Sequence, residues 1–215
     1  TSGTFHSDAW TSARRPPPLY PDAVTLAATV DVERLLARID TSAGCSIKDS
    51  FATLDLIPHG FRVLFEAQWI TRAPTTPAPA PTALRWRTVR DAYELAAWAH
   101  AWDPEMRDTF GPALLDHEAV TVLAGCIETI DGVAIVAGAI TNRSDAVVGI
   151  SNVFDNTGDP ADALTGCLAY IAREQPDLPV VGYEAGDALA AAGAHSFTSL
   201  GPLRIWLRSP EADSR

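Results

Sequence analysis

The chain has 215 residues, a formal net charge of -11 and a pI near 4.7. This length can bury one large core, or one domain with an appendage. Nucleic acids and anionic membranes bind basic surfaces, so the acidic balance argues against both as the main partner. No apolar run approaches the ~20 residues that span a bilayer. The first residues, TSGTFHSDAW, lack the pattern of a signal peptide, so we expect a cytoplasmic protein.

The cysteines and the lysine are the first candidates for chemistry. Cys45, Cys126 and Cys167 are far apart and form no CxxC pair, which predicts small buried side chains instead of a zinc site or a disulfide. Lys48 is the only lysine beside many arginines in a chain rich in alanine and proline, a bias typical of high-GC bacteria. Because a buried lysine can shift its pKa, one interpretation is that Lys48 has a chemical role. The other interpretation is that this single lysine is present by chance.

The N-terminal part is predicted to hold a helix and a β-hairpin. The proline-rich residues 13–22 are irregular, and DVERLLARID has the apolar spacing of a short helix capped by Asp31. SFATLDL and FRVLFEAQWITR then resemble two strands joined by the turn IPHG.

Two features of this part bear on a site. In the second strand Val63, Phe65, Ala67 and Trp69 share one apolar face, which we expect to be covered by docking against the rest of the chain, whereas Glu66 lies on the other face. CSIKDS, with Lys48, either reaches over a cleft or is a solvated loop whose lysine and aspartate pair weakly.

A proline and alanine tract predicts a domain boundary. We expect an N-terminal extension over residues 1–72, a linker over 73–83, a second domain over 84–210 and a tail over 211–215. The second domain is predicted to contain, in order, the strand LRWRTV, the helix RDAYELAAWAHAW, a short helix at FGPALLDH, the hairpin AVTVLAGCIE and GVAIVAGAIT, the strand DAVVGISNVF, the helix PADALTGCLAYIAREQ, the strand LPVVGYE, the helix GDALAAAGA and strand material in SFTSLGPLRIWLR.

This element order, from Leu84 to Arg208, resembles the GNAT superfamily of acyltransferases. Two stretches carry the resemblance: residues 84–102, and residues 180–208, which look like the closing strand, helix and hairpin of that family, with Phe197 near its Gly-Phe. The resemblance implies an α/β fold with a mixed, mostly antiparallel sheet flanked by helices. It also implies transfer of an acetyl or longer acyl group from coenzyme A to a small-molecule amine; a homodimer is left open.

The loop DNTGDPADA, residues 155–163, stands where that family binds the pyrophosphate of coenzyme A. The resemblance implies cofactor contacts from Val153, Thr157 and Gly158. The family's Gln or Arg is absent, and Asp155, Asp159 and Asp162 would oppose a pyrophosphate. The residues themselves favour a helix start capped by Thr157 or Asp159 with Pro160 in the first turn. The aspartates also lack the calcium-loop spacing, so we expect no metal.

The resemblance places the site where the fourth and fifth strands separate. That region is lined by Ser151, Asn152, Val153, Gly182, Tyr183 and Glu184. Glu184 is either a general base with a raised pKa or a helix cap. Tyr183, at the end of a buried strand, and Asn152, which offers both a donor and an acceptor, are the other catalytic candidates. The helix GDALAAAGA departs from the family, because it lacks the tyrosine that serves there as general acid.

Substrate contacts are expected from Lys48, Glu66, Trp69, Trp86 and Ser151. Three functions stay open. The first is acyl transfer, which we favour. The second is other small-molecule chemistry of the lyase or decarboxylase type without coenzyme A, and the third is non-catalytic binding of a ligand or partner.

Overall fold

A computed structural model of the chain describes residues 3–17, 19–79, 83–130, 132–158 and 160–209, and no side chains at 160–162. The elements are β1 (Thr4–Phe5), β2 (Ala9–Thr11), β3 (Ala23–Thr25), α1 (Val32–Leu36), β4 (Ser46–Asp49), β5 (Phe61–Arg72), β6 (Arg85–Thr88), α2 (Ala92–Trp102), β7 (Val120–Thr129), β8 (Gly132–Arg143), β9 (Val148–Asp155), α3 (Pro160–Glu174), β10 (Val180–Glu184), α4 (Gly186–Ala194) and β11 (Thr198–Arg208). Short 3-10 turns occur at Ile57–His59, Arg107–Thr109 and Pro112–Leu114. None of the helices in these ranges has the length and apolarity that a bilayer crossing requires.

The chain forms two compact units. Residues 1–69 and 201–215 make the first, and residues 70–200 make the second. The C-terminal strand β11 therefore belongs mostly to the unit that also contains the N-terminus. The sequence placed residues 201–210 in the second domain instead.

The first unit is a sheet with the strand order β1, β2, β3, β4, β11, β5. β3 and β4 run parallel, whereas β1 with β2, β2 with β3, and β4 with β11 are antiparallel. Fully buried Leu35, Ile47 and Leu56 pack with Trp206 on one side of the sheet. The short helix α1 begins as predicted, because the Asp31 carboxylate accepts a hydrogen bond from the Arg34 amide at 3.1 Å.

The predicted hairpin between SFATLDL and β5 is wrong. β4 ends at Asp49 and pairs with β3 and β11, and β11 lies between β4 and β5. The cause is local: the fully buried Asp49 carboxylate accepts hydrogen bonds from the amides of Leu54 at 2.9 Å and Phe51 at 3.4 Å. These bonds hold the segment after β4 in turns, so it supplies no strand. The turn at IPHG is confirmed, with Gly60 at a φ of 79°.

The apolar face of β5 is only partly covered. Ala67 is 5% exposed, but Val63 is 37% and Phe65 40% exposed. The expectation that this whole face is covered is therefore wrong for the first half of the strand.

The second unit contains the strand order β10, β9, β8, β7, β6. The predicted meander is confirmed, since β6–β7, β7–β8 and β8–β9 are all antiparallel, and β9 then pairs parallel with β10. The helices α2, α3 and α4 follow β6, β9 and β10, as the sequence predicts. The family's closing hairpin is replaced by the single strand β11 within the described residues.

Helix packing fixes the sheet of this unit. Asp91 caps α2 by accepting the Glu94 amide at 2.8 Å, and the buried Trp98 donates its indole N–H to the Leu123 carbonyl at 2.8 Å. On α3, a Cβ at Gly166 would lie 1.8 Å from Nε1 of Trp86, so only glycine admits the indole there. α3, which starts directly after the candidate loop, is thereby held against β6.

Candidate functional site

A bulge in β9 is the central irregularity of the second unit. Ser151 pairs with Ile140 and Phe154 with Gly138, so β9 carries one more residue than β8 between these pairs. Asn152 sits in the bulge with a φ of 51°, a left-handed conformation that asparagine tolerates better than most residues. Bulges bend a strand and redirect its side chains, so β9 changes course here.

The ladder between β9 and β10 ends just before the bulge. Two residue pairs are in register, Val148 with Val180 and Gly149 with Val181, although β9 continues to Asp155 and β10 to Glu184. The first residues of these two parallel strands are therefore paired with each other, whereas their carboxyl-terminal residues are not. The sequence predicted a separation of the strands at this point.

Polar groups follow the end of the ladder on both strands. Ser151 is exposed, and the half-buried Asn152 donates from Nδ2 to the Ser151 hydroxyl at 3.1 Å. On β10 the half-buried Tyr183 and Glu184 close the strand. Because neighbouring residues in a strand point to opposite faces, Tyr183 and Glu184 do not serve the same side of the sheet.

Burial changes the acid–base properties of this pair. Burial raises the pKa of Glu184. Burial also raises the pKa of Tyr183, and the nearby Glu184 charge raises it further. Among the described residues, the Glu184 carboxylate forms no ion pair that would lower its pKa again. A carboxylate in this state is a stronger base than usual, and a tyrosine in this state stays a neutral phenol. The N-cap residue of α4 is Ala185, whose side chain forms no capping hydrogen bond.

The loop between β9 and α3 is closed on itself. Oδ1 of Asp155 accepts hydrogen bonds from the Thr157 amide at 2.6 Å and the Thr157 hydroxyl at 2.5 Å. Asn156 is anchored by its amide to the Val136 carbonyl at 2.7 Å, and by Nδ2 to the Ala101 carbonyl at 2.8 Å. Gly158 has a φ of 95° and open space around its Cβ position.

These contacts decide how the described part of the loop fits a pyrophosphate. The Thr157 amide and hydroxyl are already bonded to a carboxylate, and that carboxylate repels anions. The described residues therefore do not form the phosphate cradle that the position implies. α3 begins at Pro160 as predicted, but Thr157 turns towards Asp155, and the predicted cap Asp159 and the side chain of Asp162 lie outside the described residues.

Two of the other predicted residues belong to the packing of the second unit. Val153 packs against the cores beside α3, and the Trp86 indole lies over Gly166. Their described contacts are those of packing residues. Elsewhere in the described chain, no three His, Cys, Asp or Glu side chains lie close enough together to hold a metal ion.

The cysteines are buried and unbridged, as predicted. Burial raises the pKa of Cys45 and of Cys167 to about 12, which leaves these thiols protonated and unreactive.

The first unit contains three of the predicted site residues, Lys48, Glu66 and Trp69. Lys48 lies in β4, not in a solvated loop, and its Nζ is 5.6 Å from the centroid of the Trp69 ring. Trp69 is fixed by a 2.9 Å hydrogen bond from its indole N–H to the Ser50 carbonyl. Burial lowers the pKa of Lys48 to about 8. Glu66 pairs with Arg204 at 2.6 Å in a solvent-exposed ion pair, which contributes little to stability.

Comparison with known proteins shows which solved structures this chain resembles. No protein-family model and no curated protein sequence matches this chain. Among solved structures, a conserved protein of unknown function from Staphylococcus epidermidis superposes with a TM-score of 0.71 at 11% identity, covering 96% of this chain and 93% of that one. A GCN5-related N-acetyltransferase from Kribbella flavida gives a TM-score of 0.66 at 15% identity, covering 96% of this chain and 89% of that one.

The chain has the GNAT fold. A structure described as a putative acetyltransferase of the GNAT family, from Novosphingobium aromaticivorans, agrees, with a TM-score of 0.58 at 14% identity over 96% of this chain and 91% of the other. The predicted fold class, a mixed and mostly antiparallel sheet flanked by helices, is confirmed. Identities this low establish the fold alone.

The β9 bulge could not be placed from the sequence. Its signal is weak: an asparagine, which tolerates a left-handed backbone, inside a strand that also contains Ser151 and Asp155. The self-bonding of Asp155 and Thr157 likewise depends on the backbone turn, although an aspartate two residues before a threonine is typical of such turns.

Proposed function

We propose that the protein is an N-acyltransferase that transfers an acyl group from a coenzyme A thioester to a small-molecule amine, with Glu184 as general base. The observation that carries the proposal is the Glu184 carboxylate at the open end of the β9–β10 ladder, where burial raises its pKa. An amine nucleophile must lose a proton to attack an acyl group, and a base with a raised pKa removes it best near neutral pH.

Neighbouring residues support a division of roles. Asn152 and Ser151 offer hydrogen-bond donors and acceptors at the bulge that can orient the acceptor amine. Tyr183 remains a neutral phenol, but it points to the opposite side of the sheet from Glu184, so Glu184 alone serves proton transfer in this proposal. The helix α4 contains no tyrosine, and Tyr183 is the tyrosine nearest to this helix in the chain.

The GNAT fold supports coenzyme A as the carrier of the acyl group, and the loop limits how this donor binds. Since Asp155 already holds the Thr157 amide, we expect acyl coenzyme A to bind weakly and without a pyrophosphate cradle in the described loop. We also propose that the protein acts as a soluble cytoplasmic enzyme. We propose no metal.

Ligand binding and turnover test the proposal together. Acetyl coenzyme A at about millimolar concentration should raise the thermal unfolding midpoint, because a ligand that binds only the folded state stabilises it. In the presence of a panel of small primary amines, free thiol should be released at a rate that Glu184→Gln reduces by ~100-fold. Glu118→Gln, which changes an exposed carboxylate outside the site, is the matched control. Absence of both the thermal shift and thiol release would refute the proposed activity.

One observation favours a second candidate. A loop closed by Asp155 suits a GNAT-fold enzyme that uses no coenzyme A, for example a lyase or decarboxylase, in which Glu184 serves as acid or base. Such an enzyme would show no response to acetyl coenzyme A, and Glu184→Gln would still abolish turnover of its substrate. A non-catalytic binding protein would lose no activity with that change.

A further inference from the structure

The first unit holds an amine in an apolar setting that the proposed active site does not use. Lys48 lies in the middle of β4, in register with Val24 of β3 on one side and Ile205 of β11 on the other. Two apolar neighbours therefore flank the point where the side chain leaves the sheet. Such a lysine is held by its strand, unlike one on a surface loop.

Trp69 defines the position of the amine. Nζ of Lys48 is 5.6 Å from the ring centroid, and the ring is fixed through its hydrogen bond to the Ser50 carbonyl. The aromatic face attracts the charged ammonium, whereas the apolar neighbours strip the amine of part of its water and favour its neutral form. This setting is the one that makes a lysine nucleophilic.

Beyond the buried Ala67, the face of β5 that carries Trp69 presents exposed apolar surface. Side chains alternate along a strand, so Phe65 and Val63 lie on the Trp69 face, and they are 40% and 37% exposed. A nucleophile and an uncovered apolar strip therefore share one face of the first unit. The strip matches the chemistry of an alkyl or aryl acyl chain.

We propose that Lys48 is a covalent acylation site that takes an apolar acyl group from a thioester. The Lys48 nitrogen forms a bond to the thioester carbonyl carbon, the carbon–sulfur bond breaks, and the thiol leaves with the proton from the amine. The product is an uncharged amide with its acyl chain against Phe65 and Val63. The proposal goes beyond the function at Glu184 and does not depend on it.

The structure supplies the reactive form of the amine as well. Burial lowers the pKa of Lys48 to about 8, so a substantial fraction is neutral in mildly alkaline buffer. Lys48 is also the only lysine of the chain, which makes the modified residue unambiguous once the N-terminal amine is set aside by peptide mapping.

The test measures acylation of the purified full chain by intact mass. Acetyl and octanoyl thioesters of N-acetylcysteamine are the probes, so no nucleotide site is needed. We expect octanoylation at Lys48 to be about tenfold faster than acetylation, because the longer chain buries apolar area on the strip. N-α-acetyl-lysine, which lacks the strip, should show no such preference. Equal rates for the two probes on the protein, or no acylation at Lys48, would overturn the proposal.

Variants separate this site from the other one. Phe65→Ser should remove the chain-length preference and leave acetylation unchanged, while Lys48→Arg should remove the label and Glu184→Gln should leave it intact. If Glu184→Gln abolishes labelling, the acylation belongs to the proposed enzyme and the proposal fails. If amine turnover is absent but Lys48 is acylated with the expected preference, the proposal stands and the proposed function fails. The wild-type chain-length comparison decides the matter even where a variant does not fold.

Discussion

Replacing the half-buried ammonium of Lys48 should stabilise the protein. Burial lowers its pKa from 10.5 to about 8. At 1.36 kcal/mol per pKa unit, the charged form costs about 3 kcal/mol in the folded chain. The attraction between Lys48 and the Trp69 ring offsets about 1 kcal/mol of that cost. Lys48→Met keeps the length of the apolar stem, so we expect it to raise the free energy of unfolding by about 2 kcal/mol at neutral pH.

The pH dependence gives this prediction its sign. Between about 8 and 10.5 the folded chain has released the Lys48 proton while the unfolded chain still holds it. The unfolded state then binds more protons, so wild-type stability rises with pH across this window. Above this pH window Lys48 is neutral in both the folded and the unfolded chain, so the difference in the free energy of unfolding between Lys48→Met and wild type disappears.

Urea unfolding at a series of pH values measures the difference, with other titrations common to both proteins cancelling. Arg62→Met, which removes an exposed cation from β5, serves as control and should change stability by less than ~0.5 kcal/mol at every pH. A Lys48→Met protein less stable than wild type at neutral pH, or a difference that is constant with pH, would show that burial of the ammonium carries no such cost.

Three further predictions concern the second unit. Gly166→Ala should lower the free energy of unfolding by about 1–3 kcal/mol, measured in urea, because its Cβ would lie 1.8 Å from the Trp86 indole; a neutral result would mean that the indole can move. Trp98→Phe should cost about 1–3 kcal/mol in the same assay, since the Leu123 carbonyl loses its 2.8 Å donor in the core, and an unchanged midpoint would count against that bond. Acyl transfer should be lost on acidification at a higher pH than for an ordinary carboxylate, because burial raises the pKa of Glu184; an acid limb at the ordinary carboxylate value would argue against Glu184 as the base.

The order of elements in the second unit was predictable because each element carries its own local signal. Asp91 caps α2, the sequence Asp131-Gly132 predicts a hairpin between β7 and β8, and Pro160 opens α3. Local backbone preference and apolar spacing do not depend on distant residues. For this reason the β–α order, and with it the fold class, follow from the sequence.

In the first unit, local sequence signals did not predict the structure of SFATLDL or the partner of β4. SFATLDL has the composition of a strand, but Asp49 uses its carboxylate to hold the following amides in turns. β4 pairs instead with β11, whose residues lie more than 150 positions further along the chain. Strand pairing depends on which partner the whole chain brings alongside, and no local pattern records that choice.

The candidate site divides in the same way. The sequence by itself determined that polar residues lie in two consecutive strands and that the loop before α3 carries aspartate where a phosphate site would need a donor. Only the tertiary structure decided that β9 bulges at Asn152, that its ladder with β10 stops at Gly149, and that Lys48 is desolvated over Trp69. The physical reason is that chemical identity is a property of single residues, whereas strand register, burial and the pKa values that follow from burial are properties of neighbours distant in the chain.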